Sequence, residues 1–157
     1  MNIIKTQLLL LAFFPLLLLS QNKSSVEIYY GNGSFEGRIV DLSNRNLSKL
    51  PAFNSQVEVL ILDNNNITEL PEWLMTLPNL RSLSIRNNNL NDVDILGFCE
   101  KLEELYLSNN PNLFDLPSFS RCKKLQIIDV TDTKINDLPI NIRGMENIAY
   151  FKYSKIK

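Results

Sequence analysis

From Arg38 onward the apolar residues fall into a pattern that repeats every twenty-odd positions. Val57-Glu-Val-Leu60-Ile-Leu62-Asp-Asn-Asn65-Asn-Ile67 returns as Leu80-Arg-Ser-Leu83-Ser-Ile85-Arg-Asn-Asn88-Asn-Leu90, and again as Leu102-Glu-Glu-Leu105-Tyr-Leu107-Ser-Asn-Asn110. A further copy, Leu125-Gln-Ile-Ile128-Asp-Val130-Thr-Asp-Thr133-Lys-Ile135, keeps the apolar positions, and Val40-Asp-Leu42 and Phe151-Lys-Tyr153 begin degenerate copies at either end. One equivalent position runs Val40, Leu60, Leu83, Leu105, Ile128, Phe151, at intervals of 20, 23, 22, 23 and 23 residues. Within each copy the Leu-x-Leu alternation has period two, which predicts a short strand with its leucines on one face. A second apolar pair follows at fixed distance: Leu47 and Leu50, Ile67 and Leu70, Leu90 and Val93, Leu113 and Leu116, Ile135 and Leu138. Four pairs run straight into proline, at Pro51, Pro71, Pro117 and Pro139, where a fixed φ and a missing donor stop any ladder. The return segments carry further apolar residues and are expected to form short helical or extended turns.

The spacing L-x-x-L-x-L-x-x-N resembles the leucine-rich-repeat family over roughly Arg38 to Lys157. The resemblance implies an α/β fold: a right-handed curved solenoid, with a parallel β-sheet on its concave face and short helical or extended segments on its convex face. One coil cannot bury its own leucines, so neighbours must stack, and each side chain buried between coils contributes about 1.5–3 kcal/mol. Asn65, Asn88 and Asn110 occupy the family's asparagine-ladder position, where a buried amide satisfies backbone groups. Arg45 and Thr133 depart from it and shorten the ladder. The family's scaffold serves many unrelated partners, so function must come from the exposed positions.

Those positions can be read off, because period two sends the residues between the leucines to the opposite face. One row is Ile39, Val59, Ser82, Glu104, Ile127, Tyr150; the next is Asp41, Ile61, Ser84, Tyr106, Asp129, Lys152; a third is Ser43, Asp63, Arg86, Ser108, Thr131, Ser154. Apolar anchors in a polar surround are what a protein interface requires, and the candidate contacts are Ile61, Arg86, Tyr106, Ile127, Asp129, Tyr150 and Lys152.

The remaining sequence sets the setting. Residues 1–20 combine Lys5, an unbroken apolar run from Leu8 to Leu19 and the abruptly polar Ser20 to Ser24, the layout of a signal peptide. The run is too short for a spanning helix of about 20 residues, so export with cleavage is expected, to a secreted, periplasmic or cell-surface location. Val26 to Tyr30, the turn-forming Gly31-Asn-Gly-Ser34 and the strand after Arg38 predict a cap hairpin over 21–37, ahead of the repeat domain at 38–157. The expected state is a monomer with weak end-to-end pairing through the last coil, which is blunted only by Lys152, Lys155 and Lys157.

A formal charge of −1 gives no general attraction to nucleic acid, and the absence of histidine removes the commonest general base and metal ligand. No catalytic, cofactor or metal residues are therefore assigned, and carboxylate pairs such as Asp41 and Asp63 lie on an open face with no pocket to separate their pKa values. The reading is a non-catalytic module that binds another protein on its concave face. A surface-carbohydrate adhesin and an inhibitor of an extracellular enzyme are the alternatives. Cys99 and Cys122 share one register, three residues before Leu102 and Leu125, and belong to an inward column with Leu77 and Met145. They are either two small buried hydrophobes or an inter-coil disulfide. Sequons occur at Asn22, Asn32, Asn46 and Asn66.

Overall fold

The structure, a computed structural model, describes residues 39–50 and 57–154; the expected leader, the cap hairpin, Pro51, Asn22, Asn32, Lys155 and Lys157 lie outside them. Among the described residues six short strands, β1 (Ile39–Asp41), β2 (Val59–Ile61), β3 (Ser82–Ser84), β4 (Glu104–Tyr106), β5 (Ile127–Val130) and β6 (Tyr150–Tyr153), form one parallel sheet in chain order. The pairing places Val40, Leu60, Leu83, Leu105, Ile128 and Phe151 side by side in a single file. Leu60, Leu83, Leu105 and Ile128 in that file are wholly buried, as are Leu62, Ile85, Leu107 and Val130 in the file beside it. The sheet thus has one dry face, and the parallel-strand solenoid follows from stacking that face coil upon coil.

Beyond each rung the chain must turn sharply. The residue that does so is Asn44, Asn64, Asn87, Asn109 or Asp132 in successive coils, each at φ between 54° and 58°. A short polar side chain tolerates this left-handed conformation better than any other non-glycine residue. In the turned position the backbone N–H of Asn64 donates to Arg86 O of the next coil at 2.9 Å, and Asn87 and Asn109 do the same to Ser108 O and Thr131 O. Asn87 Nδ2 also donates to Asn64 Oδ1 at 2.8 Å, an outer polar link between coils.

The next residue carries the inner ladder. Asn65 Oδ1 accepts from the N–H groups of Arg45 and Leu47, while its Nδ2 donates to Leu42 O and Leu62 O. Asn88 Oδ1 accepts from Ile67 N and Asn110 Oδ1 from Leu90 N, so each amide serves its own coil and the one before. Thr133 bonds only within its own coil, to Val130 O and Ile135 N. Nothing is lost there, because Leu113 N already donates to Asn110 O and Leu107 O already accepts from Asn110 Nδ2.

The return segments include two 3-10 turns, Glu72–Thr76 and Asp94–Phe98, closed by i to i+3 bonds such as Leu74 N to Pro71 O and Leu96 N to Val93 O. Leu74 and Leu96 point inward and are fully buried, and Ile142 does the same in the last return, whereas Ile140 stands out in solvent. Gly97 lies where one return presses on the next: a Cβ there would meet Ser118 O at 2.7 Å. Cys99 and Cys122 are buried free thiols, with Cys99 Sγ donating to Ile95 O and Cys122 Sγ to Leu96 O and Gly97 O. Burial pushes both thiols up, Cys99 to about 12 and Cys122 to about 11. Leu77 and Met145, their partners in the column, are half-buried. Among the described residues no helix is long and apolar enough to cross a membrane.

Candidate functional site

With the leucines turned into the core, the intervening residues stand on the other face of the sheet, and strand register fixes who neighbours whom. Ile61 aligns with Ser84, Tyr106, Asp129 and Lys152, and Ile127 with Glu104 on one side and Tyr150 on the other. Six of the seven candidate contacts therefore lie on β2, β4, β5 and β6, and Arg86 follows β3 two residues after Ser84. Ile61, Arg86, Tyr106, Ile127 and Asp129 are half-buried, while Tyr150 and Lys152 are exposed.

The centre of the face is a hydrogen-bonded network. Asp63 Oδ1 accepts from Ser84 Oγ at 2.7 Å and from the Arg86 backbone N–H at 2.9 Å. Arg86 Nη1 donates to Ser84 Oγ at 3.1 Å and stands 3.6 Å from Asp63 Oδ2. Its guanidinium then lies over the Tyr106 ring, 4.2 Å from the centroid, which is within cation–π range. On the next row Glu104 Oε2 accepts from Ser82 Oγ at 3.0 Å and from the Tyr106 hydroxyl at 3.4 Å. Burial, and after it the nearby Glu104 carboxylate, raises the Tyr106 phenol above its ordinary pKa, so the ring stays neutral. Toward the far edge Asp129 Oδ1 accepts from the Thr131 hydroxyl and amide, and Asp129 Oδ2 lies 3.9 Å from Lys152 Nζ.

Two details depart from the rows read in the sequence. Ser84 and Ser108, placed there among the exposed residues, are covered; for Ser84 the cause is the Asp63–Arg86 bridge that closes over its hydroxyl. Asp63, Ser84 and Glu104, which the sequence places in the rows but not among the candidate contacts, hold Arg86 and Tyr106 in place. The signal that could have found them is opposite charge at one repeat's distance, since Asp63 and Arg86 occupy the same row in adjacent coils. Arg81 and Glu103 repeat the device just before the strands, bonded at 2.8 Å, and the hydrogen bond from Arg81 holds the Glu103 carboxyl below its usual range.

Among the described residues no group of three metal-ligating side chains converges. A cleft of about 560 Å³ lies away from the sheet face, against the last two returns, lined by residues that include Phe119, Lys123, Ile140, Asn141 and Met145. The only sequons within the described residues, Asn46 and Asn66, are exposed on neighbouring coils, and Asn66 Nδ2 donates to Asn46 Oδ1 at 2.5 Å.

Comparison with known proteins adds to this geometry. The family model described as leucine rich repeat matches residues 55–111 and again 78–135. A putative disease resistance protein of Arabidopsis thaliana is 34% identical over 112 residues, which cover 69% of this chain and 13% of that protein. A probable U2 small nuclear ribonucleoprotein A' of Caenorhabditis elegans is 37% identical over 79 residues, 46% of this chain and 31% of that one. Among solved structures, an internalin from Listeria monocytogenes superposes with a TM-score of 0.52 at 29% identity, over 59% of this chain and 26% of the internalin. The chain thus spans less than a third of each of these relatives.

Proposed function

The chain belongs to the leucine-rich-repeat family, and from that premise we propose that it is an exported, non-catalytic module that binds another protein on the sheet face opposite its core. The observation that carries the reading is the division of the sheet itself: one face is wholly apolar and closed by stacking, while the other aligns Ile61, Tyr106, Asp129 and Lys152 across four strands. Strands whose outward positions served only backbone propensity would need no Tyr106 held between Arg86 and Glu104. A rigid aromatic amid satisfied polar groups has the composition of an interface centre, since it loses little freedom on contact. Catalysis is left out because the face is open and lacks histidine, so no group is set apart for proton transfer.

Export rests on the sequence of residues 1–20 alone, and amino-terminal sequencing of protein recovered outside the cell tests it: retention of the leader on intracellular protein would remove this part of the proposal. Binding is tested by capturing partners from culture supernatant and cell-surface fractions with the wild-type chain beside the Tyr106→Ala and Arg86→Ala variants. A protein retained by the wild type and lost from both folded variants is the expected outcome. Retention by all three, or capture of a polysaccharide in place of a protein, overturns it.

A further inference from the structure

We infer that the partner taken up on this face is basic: an extended protein segment that carries a lysine or arginine between two apolar side chains. The inference rests on the binding reading above and adds the partner's chemistry.

The face is apolar at its two flanks and carries more carboxylates than cations, with Glu104 on β4 standing between the flanks. Val59 and Ile61 stand on β2, beside an Ile39 that is 58% exposed on β1, and Ile127 stands on β5 beside Tyr150, 50% exposed on β6. Four carboxylates share the face, Asp41, Asp63, Glu104 and Asp129, against two cations, Arg86 and Lys152. Both cations are already engaged, Arg86 with Asp63 and the Tyr106 ring, Lys152 with Asp129. They offer little to an acidic partner. Among the described residues Asp41 and Glu104 have no ion pair, and Glu104 is held at the centre by bonds that both fall on Oε2, leaving Oε1 for a partner's donor. An incoming carboxylate would meet like charge at Glu104, which Arg81 influences from a distance without forming an ion pair, whereas an incoming ammonium or guanidinium would meet a fixed acceptor.

Spacing selects the shape of the segment. Neighbouring strands lie about 4.8 Å apart, so the apolar flanks on β2 and β5 are about 14 Å apart. An extended chain advances about 3.4 Å per residue with alternate side chains on one side, so residues i and i+4 reach the two flanks and i+2 falls between β3 and β4, beside Glu104. A helix rising about 1.5 Å per residue would cover that span in about nine residues, which places the two apolar side chains on opposite sides of the helix.

The test uses the full chain, immobilised, to select from a displayed library of short random linear peptides. Enrichment of sequences with lysine or arginine midway between two apolar residues is expected, with binding that weakens as salt is raised. Synthetic copies of the enriched peptides should bind the Glu104→Gln variant roughly five- to tenfold more weakly, a loss in the range of one charge-assisted hydrogen bond, and the Ile61→Ser and Tyr150→Ser variants more weakly as well. Peptides that depend on Ile61 and Tyr150 but show no cationic enrichment and no response to Glu104→Gln overturn this inference and leave the binding face standing. Peptides indifferent to all three substitutions overturn both, and a selection that yields no cationic enrichment overturns the inference.

Discussion

Asn110 and its sequence neighbour Asn109 make the sharpest test of how this solenoid is held together, because two adjacent asparagines have opposite jobs. Asn110 is fully buried; its Oδ1 accepts the Leu90 N–H at 3.0 Å and its Nδ2 donates to Ile85 O and Leu107 O, each at 2.9 Å. In Asn110→Ala, Ile85 O keeps a long bond from Asn88 Nδ2 at 3.5 Å, but Leu90 N and Leu107 O lose their partners inside the core. Each orphaned buried group costs about 1–3 kcal/mol, so the variant should be destabilised by about 2–6 kcal/mol. That is a large part of the roughly 5–15 kcal/mol available to a typical domain. Asn109 is exposed at φ 58°, and its side chain makes no bond that the turn needs. Asn109→Gly should therefore leave stability within about 0.5 kcal/mol, or raise it slightly, because glycine adopts this conformation freely. Urea unfolding of both variants gives the two numbers, and amide hydrogen exchange at Leu90 locates the effect. A loss below about 0.5 kcal/mol in Asn110→Ala, or unchanged protection of the Leu90 amide, would refute the accounting of the ladder.

Other substitutions probe the remaining contacts. Leu105→Ala removes a side chain with no exposure from the middle of the file, and calorimetry should show a loss of about 2–5 kcal/mol; a cost under about 1 kcal/mol would mean the file is not dry. Gly97→Ala drives a methyl group into Ser118 O and should cost about 1–3 kcal/mol by denaturant unfolding, while Gly144→Ala, which meets nothing, should cost almost nothing. Titration with a thiol reagent should find Cys99 and Cys122 inert at pH 8 in the folded chain and both reactive after denaturation without reductant; one or no thiol in the denatured chain contradicts the free pair. Because folding raises both thiol pKa values from the ordinary 9.0 to about 12 and about 11, their contribution to stability is complete below pH 9. It declines as pH rises from there toward those values, where the unfolded chain has released protons that the folded chain still holds. Stability that rises over this window would contradict the burial.

What the sequence makes legible is whatever depends on one coil alone and is repeated. The register of Val40, Leu60, Leu83, Leu105, Ile128 and Phe151 needs only the period of the apolar pattern, and the sheet pairs these residues as the spacing requires. The inward placement of Cys99 and Cys122 follows from the same count. The sharp turn at Asn64, Asn87 and Asn109 was in view as a run of asparagines, but only the backbone separates the member that turns at positive φ from the one that enters the core. What stayed hidden are contacts whose geometry depends on the reach of long side chains between coils. Arg86 could have pointed into solvent; its position over Tyr106 follows from Asp63, one coil back, and from the Ser84 hydroxyl between them.

That difference bears on how the outer face can change without loss of the fold. Core positions are coupled through a continuous file, so each loss is felt by the coils on both sides, whereas the outward contacts form small local groups such as Asp63, Ser84, Arg86 and Tyr106. Ile61 and Tyr150 are far enough apart on the sheet that substitutions there should add in their effect on binding and leave stability near the wild type. Asp63, Ser84, Arg86 and Tyr106 form one bonded group and should not add. A double-mutant cycle between Asp63→Asn and Tyr106→Phe should give coupling near zero, because Arg86 still covers the ring without the hydroxyl. The same cycle with Tyr106→Ala should give coupling of about 0.5–1 kcal/mol, the value of the exposed cation–π contact that Asp63 positions. Equal coupling in both cycles would place the interaction at the Tyr106 hydroxyl and Glu104, and the account of the Arg86 bridge would then be wrong.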